Sequence, residues 1–374
     1  MDYNIPSVKD AGSLRGKRVI LRLNLNVPVV DGKIGDDLRI RRGLPTLHYL
    51  AGQGACTLIV SHIDNAETKT LEQVYELLRG HIPVSFAKNF EEAERKLSAL
   101  SEGEFVLLEN LRTWEGEKAN DPDFAKKIAS LGEMYVNDDF AVSHRVHASV
   151  VSVPRLLPSY AGFEFMDELK GLSEAFHPKH PFLFILGGAK FETKAPLIQK
   201  FLDVADHVFI GGTLANEFFH LRGFETGQSA LFPGTVNIAE MNHSKKLILP
   251  TDVLVLNNGA VSIKKPEAVL ADDRIVDAGP ETLRKLGTLL QGIKFVLWNG
   301  PLGEYEHGFP HGTEALAQSI ASSTADSIVG GGDTVAVVDR LGLGGAFGFV
   351  STAGGASLDF LANETLPGIE ALRK

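Results

Sequence analysis

Short apolar runs alternate with stretches of helical spacing from Lys17 to about Pro158, the pattern of a parallel sheet with crossover helices. The runs predict strands at Arg18–Leu25, Thr57–Ser61, Phe105–Glu109 and Glu133–Asn137. Leu71–Gly80 and Asp121–Ser130 carry apolar residues at helical period, the second opening on Asp121-Pro122 as N-cap and first-turn proline. Each strand is followed by polar, mostly cationic residues. Arg22 and Asn26 belong to the first, His62 follows the second, Asn110 and Arg112 the third, and Ser143-His144-Arg145-Val146-His147 comes soon after the fourth.

Pro154 and Pro158 punctuate Ser152–Tyr160, and Phe163–Phe176 then reads as one helix closed by His177-Pro178 and Pro181. This is the pattern of a domain boundary spanned by a helix. Beyond it the strands end in clustered glycines: Phe182–Leu186 before Gly187-Gly188-Ala189-Lys190, and His207–Ile210 before Gly211-Gly212. Lys294–Leu297 runs into Trp298-Asn299-Gly300-Pro301-Leu302-Gly303, Ser327–Val329 into Gly330-Gly331-Gly332-Asp333-Thr334, and Phe349–Val350 into Ser351-Thr352-Ala353-Gly354-Gly355.

The chain of 374 residues is long enough for two domains, and 44% apolar with 22% charged residues is globular composition. A formal net charge of −10 opposes a broad nucleic-acid-binding face, so an anionic ligand needs a local cationic cluster. Cys56 is the single cysteine, which excludes an intramolecular disulfide and a multi-cysteine metal site. No apolar stretch approaches the roughly 20 residues of a membrane span, and the start, MDYNIPSVKD, is unlike a secretory leader. The expectation is a cytoplasmic protein with neither nucleic-acid nor membrane partners.

Ligands of open parallel sheets bind beyond the carboxyl ends of the strands. Glycines there let backbone N–H groups and helix N-termini approach an anion, which is chemistry for polyphosphate. No G-x-x-x-x-G-K-[ST] and no G-x-G-x-x-G after a strand is present, so neither the common P-loop nor a dinucleotide fingerprint explains them. Lys190 and Lys194 are placed to reach phosphate oxygens, Asp333 a phosphate-bound Mg²⁺, and Glu306 ribose hydroxyls. In the first half Arg22, Arg39, His62, Arg112, Arg145 and the histidines His144 and His147 could converge on a small anion. Together the halves point to a kinase with a nucleotide on one domain and a small anionic substrate on the other. No H-R-D aspartate is visible, so the acceptor needs no proton removed, a condition a carboxylate meets.

The chain resembles the phosphoglycerate kinase family from Lys17 almost to its carboxyl end. The resemblance rests on Asn26-Val27-Pro28, Asp36-Asp37-Leu38-Arg39-Ile40, Glu109-Asn110-Leu111-Arg112, Tyr135-Val136-Asn137-Asp138 and His144-Arg145-Val146-His147-Ala148-Ser149. It continues through Gly187-Gly188-Ala189-Lys190, Trp298-Asn299-Gly300-Pro301, Gly330-Gly331-Gly332-Asp333-Thr334 and Gly354-Gly355-Ala356-Ser357. It implies two doubly wound α/β domains with Rossmann-like parallel sheets, facing a central cleft that closes during turnover. Their expected extents are residues 1–160 with 361–374 returning, a linking helix at 161–177, and 178–360. The implied reaction is reversible phosphoryl transfer between 1,3-bisphosphoglycerate and ADP, giving 3-phosphoglycerate and MgATP, by a monomer. The resemblance makes Arg39, Lys190, Lys194, Gly332 and Gly355 catalytic, and assigns the triose to Arg22, Asn24, Asn26, Arg39, His62, Asn65, Arg112 and Arg145. It gives the nucleotide to Gly188, Ala189, Lys194, Gly212, Asn299, Pro301, Glu306, Gly330, Gly331, Gly332, Asp333 and Thr334, with Asp333 serving the Mg²⁺.

Several positions depart from the family pattern. Arg22-Leu23-Asn24-Leu25-Asn26 stands for Arg-Val-Asp-Phe-Asn, and His62-Ile63-Asp64-Asn65-Ala66 for His-Leu-Gly-Arg-Pro. Asp139 and Ala141 replace Ala and Gly in the Asn-Asp-x-Phe-x segment. Glu192-Thr193 replaces Ser-Asp, Glu304 stands at a small apolar position near the nucleotide, and Ala353 replaces a glycine. One lost charged hydrogen bond to substrate costs about 1.5–3 kcal/mol, so the triose site is expected to be less positive and weaker. A nucleotide-binding paralogue with little kinase activity and a regulatory or interaction role is the alternative.

Overall fold

The computed structural model describes residues 3–189, 191–231 and 238–373, with backbone only at 191–193. The chain divides into two units: Met1–Lys170 with Asn363–Lys374, and Gly171–Ala362. The boundary falls inside the helix Phe163–Ser173, which tightens into a 3₁₀ turn at Glu174–Phe176.

Among the described residues the first unit has a six-stranded sheet, in the order Val84–Ala87, Phe105–Leu108, Cys56–Val60, Arg18–Leu23, Met134–Asp138 and Ser159–Ala161. Every neighbouring pair is parallel. The strands Cys56–Val60 and Phe105–Leu108 are buried along their whole length, as expected of central parallel strands covered on both faces. Leu21, Leu23, Ile59, Leu107 and Val136 share the main core on one face of this sheet. The first strand ends at Leu23, two residues short of expectation, because Ser61 draws the chain out of the ladder. Its Oγ donates to the Leu23 carbonyl (2.6 Å) and accepts from the Leu25 amide (3.2 Å). Helix Pro122–Ala129 starts as its sequence predicts, with Asp121 Oδ1 accepting from the Phe124 amide at 2.7 Å. The returning segment docks through Pro367–Leu372, where the Gly368 amide donates to the Ser143 carbonyl at 2.8 Å.

The second unit repeats the plan with Leu247–Ile248, His207–Ile210, Phe182–Leu186, Phe295–Asn299, Asp326–Gly330 and Phe349–Val350, again all parallel. Its core gathers Leu183, Ile185, Phe209, Val296 and the fully buried Trp298. An antiparallel sheet of Val253–Asn257, Ala260–Lys264 and Arg274–Ala278 is added to it. Asn258 and Gly259 take positive φ (47° and 80°) in the two-residue turn of its hairpin, the geometry an Asn-Gly pair favours. Its middle residues in sequence, Ala260–Lys264, are almost wholly exposed and carry no alternation of burial, so the periodicity along the chain does not reveal them.

Each sheet has a strand-order reversal near its middle, and in the first unit Phe105–Leu108 also lies out of chain order, between Val84–Ala87 and Cys56–Val60. The reversal lies between Arg18–Leu23 and Met134–Asp138 in the first unit and between Phe182–Leu186 and Phe295–Asn299 in the second. Loops leaving the carboxyl ends of two strands diverge at such a point and leave a crevice between them.

Candidate functional site

In the first unit the reversal holds a polar cluster under an arginine. Arg22 pairs with Val60 and Asn137 in the neighbouring strands, and since Leu21 and Leu23 face the core, its side chain emerges on the opposite face. It is wholly buried. Its Nε donates to Ser149 Oγ (3.1 Å), Nη1 donates to the Leu23 carbonyl (3.0 Å) and lies 2.8 Å from Asp139 Oδ2, and Nη2 donates to His62 Nδ1 at 2.8 Å. Ser149 passes the chain on: its Oγ donates to Glu117 Oε1 (2.6 Å) and its amide to Glu117 Oε2 (3.0 Å). Arg22, expected to hold the triose, thus has each of its three nitrogens on a protein acceptor and is paired with Asp139, in line with a buried guanidinium needing partners inside the protein.

The other expected triose residues divide into two groups. Arg39 is half-buried in the first turn of helix Leu38–Gly52 and donates to the Asn26 carbonyl, while Arg145 is exposed on its loop. Arg112 forms a close ion pair with Asp64, its Nε buried without a hydrogen-bond partner. Of these three guanidinium groups Arg145 is exposed, while Arg39 and Arg112 are partly buried and each already has a protein partner. By contrast Asn65 braces its own loop, donating to the Val29 carbonyl (3.2 Å) and accepting from the Glu67 amide (2.8 Å). Asn26 Oδ1 accepts from the Asp64 amide at 2.9 Å, and Asn24 is buried.

Burial holds the His62 imidazole well below its ordinary range, with Arg22, Arg112, His147 and Arg39 pushing the same way. Burial and Arg112 bring His147 down to about 4. Both rings are therefore neutral near pH 7. Asp138, at the end of the strand Met134–Asp138, is pushed up to about 7 by burial, against hydrogen bonds from Thr46, Phe165 and Glu164.

In the second unit the site is made of backbone. The loops after three strands press together: the Gly187 amide donates to the Asn299 carbonyl (2.8 Å), Gly188 to Pro301 (2.7 Å) and Gly211 to Leu186 (2.9 Å). A Cβ on Gly187 would stand 2.2 Å from the Pro301 carbonyl oxygen. Gly300, at φ +90°, would place one 2.4 Å from the Gly187 oxygen. The sequence suggested that these glycines free their N–H groups for a ligand; here those amides bind neighbouring loops, and the glycines permit the contact. Buried Lys194 donates to the Gly187 carbonyl at 2.7 Å, which holds its ammonium at this loop. Lys190 lies outside the described residues.

Two helix N-termini open to solvent beside these loops, at Gly332–Arg340 and Gly355–Asn363. No heavy atom stands within 4 Å of a Cβ built on Gly332 or Gly354. First-turn amides there suit phosphate oxygens. Asp333 is exposed in the first of these turns, and buried Thr334 Oγ1 has no hydrogen-bond partner. Gly330 and Gly331 pack against buried Asn299. Next to Gly212 lies a shallow cleft lined by Thr213, Asn216, Phe219, Ile275 and Glu304 among others. Glu304 Oε2 stands 3.4 Å from both Arg274 Nη2 and His307 Nδ1, and Glu306 is exposed in the adjoining turn.

The phosphoglycerate kinase family model matches residues 8–364. A phosphoglycerate kinase of Wolbachia (Drosophila simulans, strain wRi) is 39% identical, with 99% of each chain covered, and one of Thermus thermophilus is 41% identical over 96% of this chain and 97% of its own. The chain belongs to the phosphoglycerate kinase family. Among solved structures, phosphoglycerate kinases from Pyrococcus horikoshii OT3 (TM-score 0.88, 30% identity) and Coxiella burnetii (TM-score 0.83, 35% identity) each match over 98% of both chains. The chain is accordingly a phosphotransferase of this family, built on two parallel-sheet α/β units.

Set against the family pattern, two new acids of the first unit have found partners: Asp139 on Arg22 and Asp64 on Arg112. Glu117 and Ser149 join the cluster although the sequence did not mark them for it. Ser149 lies inside a family motif, but Glu117 sits in Glu115-Gly116-Glu117-Lys118, which reads as a solvated charged turn, and nothing local marks it as buried. Among the described residues no helix is long and apolar enough to cross a membrane.

Proposed function

We propose that the chain transfers a phosphoryl group reversibly between 1,3-bisphosphoglycerate and ADP, yielding 3-phosphoglycerate and MgATP. The observation that carries this reading is the complementary chemistry at the two strand-order reversals, guanidinium groups in one unit and phosphate-sized helix N-termini with Lys194 in the other.

In the first unit Arg112, Arg145 and His62 hold the triose anion, and Arg39 neutralises charge on the transferring group. In the second unit the first-turn amides at Gly332 and Gly355 and the Lys194 ammonium surround nucleotide phosphates, while the cleft beside Gly212 takes the base. The acceptor is a carboxylate that is already ionised, so the protein's task is positioning and charge stabilisation with no general base. Asp333 fits a magnesium ion: it is an exposed hard-oxygen donor beside open first-turn amides, and magnesium at such sites takes one or two carboxylates plus phosphate oxygens. Bound there with nucleotide, the ion supplies neutralisation of phosphate charge. Lys190, outside the described residues, belongs to this reading through its motif alone.

The test is phosphorylation of 3-phosphoglycerate by MgATP, coupled to a dehydrogenase that consumes the acyl phosphate, beside Arg39→Ala. Turnover is expected, and the substitution should lower kcat by about 10²–10³-fold, the range for removing one charge-stabilising donor. No turnover at saturating triose, in protein that still binds MgATP, would defeat the reading in favour of a nucleotide-binding regulatory role.

A further inference from the structure

We infer that Asp139 is a positioning residue for substrate binding: through Arg22 it fixes His62 as the neutral tautomer with its proton on Nε2, leaving that N–H to donate to the substrate anion. The inference rests on the reading of the cluster as a triose site. A guanidinium has donors and no acceptor. Arg22 Nη2 lies 2.8 Å from His62 Nδ1, so Nδ1 must present its lone pair and the ring proton is left for Nε2. A proton on Nδ1 would set two donors against each other at that distance.

Asp139 keeps the guanidinium in that orientation. Its Oδ1 accepts from the Val142 amide at 3.2 Å, which fixes the carboxylate, and its Oδ2 stands 2.8 Å from Arg22 Nη1. Ser149 Oγ, itself tied to buried Glu117, holds Nε from the other side. Arg22, Asp139, Ser149 and Glu117 are each at most 1% exposed, so bulk water does not screen the Arg22–Asp139 ion pair or compete for the hydrogen bonds around it. Among the described residues, the titratable groups that bear on His62 include Arg22 from the first strand, Arg112 from the 3₁₀ turn Leu111–Thr113, Arg39 from helix Leu38–Gly52 and His147 from its loop, with Asp139 Oδ2 4.0 Å from Nδ1. Asp139 favours the charged ring, and burial with the three arginines opposes it.

The role is particular to this chain's acid at position 139. An alanine there, as in the family pattern, would leave the buried guanidinium without its counter-charge.

The direct test needs no variant. In a ¹H–¹⁵N spectrum optimised for two-bond imidazole couplings at pH 7, with His62 assigned by His62→Gln, wild-type protein should show a protonated Nε2 and a bare Nδ1. An Nδ1–H tautomer, or an imidazolium, at that pH overturns the inference. In Asp139→Asn, which keeps the side-chain acceptor for Val142, the triose KM should rise about tenfold with kcat within about twofold, and the tautomers should mix. In a His62→Gln background the same change should alter KM by less than about twofold, because the group it acts through is gone. A lower triose KM in Asp139→Asn would overturn the inference, as it would mean that Asp139 does no more than hold Arg22 away from substrate. A locked Nε2–H ring in protein without turnover would instead defeat the triose reading and leave the lock standing.

Discussion

The two units place their chemistry at the same topological position and make it from different material. The first uses side chains that reach one another across four strands and loops, Arg22 to Asp139, His62 and Ser149. The second uses main chain, with Gly187, Gly188 and Gly211 amides closing three loops onto one another and side chains added at the rim. The chain departs from its family in both units, at Asn24, Asp64, Asn65 and Asp139 in the first and at Glu192, Thr193, Glu304 and Ala353 in the second. The close backbone contacts at Gly187 and Gly300 leave no room for a Cβ at those two positions. A site of ionic side chains can be rewritten when each new charge finds a partner, as Asp64 has found Arg112 and Asp139 has found Arg22.

The severest test of that contrast is Gly300→Ala. With φ at +90° and the new Cβ 2.4 Å from the Gly187 oxygen, it should destabilise the second unit by about 3 kcal/mol or more and abolish MgATP binding, read by denaturant unfolding and calorimetry. Arg145→Ala in the first unit, at an exposed position, should weaken triose binding and leave stability within about 0.5 kcal/mol. Equal losses of stability in both would erase the distinction.

A second comparison is of the buried acids in the two units. Asp138 is pushed from 3.8 to about 7 and Asp277 from 3.8 to about 6, in both cases chiefly by burial. A carboxyl whose folded value is raised binds its proton more tightly when folded, so its contribution is complete below about pH 3.8 and is lost as pH rises through the folded value. For Asp138 the shift corresponds to about 4 kcal/mol between those limits. Asp138→Asn should remove that acid-side gain for the first unit, and Asp277→Asn a smaller one for the second. Unfolding followed at several pH values with a probe in each unit would show it. An unchanged pH slope in Asp138→Asn would contradict the assignment.

The smallest expected effect is the most telling about ligand competition. Asp64 is half-exposed and occupies Arg112, so Asp64→Gly should lower the triose KM by about two- to tenfold with kcat unchanged, consistent with the modest strength of an exposed ion pair. A raised KM would show that Asp64 orients Arg112 for the ligand and does not compete with it.

Much of the fold could be read along the chain because parallel strands buried on both faces leave uninterrupted apolar runs. Phe182–Leu186, His207–Ile210 and Phe349–Val350 fall where the pattern predicts them. The strand Ala260–Lys264 escaped because an exposed strand has no burial pattern, although the Asn258-Gly259 turn signal stood next to it. The site residues were nameable by type and position after strands, yet their division of labour was not. Asn65 could be recognised as the absence of an arginine, but that its amide would brace the Val29 carbonyl depends on a loop 36 residues away.

What the sequence determined by itself was the alternation that makes two parallel sheets, the glycines at the strand ends and the motifs that place the chain in its family. These are local or near-local properties, fixed by side-chain period, backbone sterics and residue identity. What tertiary structure decided was which cations stay exposed and which are bound by the protein. Arg22 and Arg145 have the same chemistry in sequence, but one is fully buried and the other exposed. A guanidinium's partners are set by long-range contacts, Asp139 117 residues from Arg22 along the chain and Ser149 127 residues from it. Burial then makes those partners obligatory, because a charge removed from water must be answered where it lies.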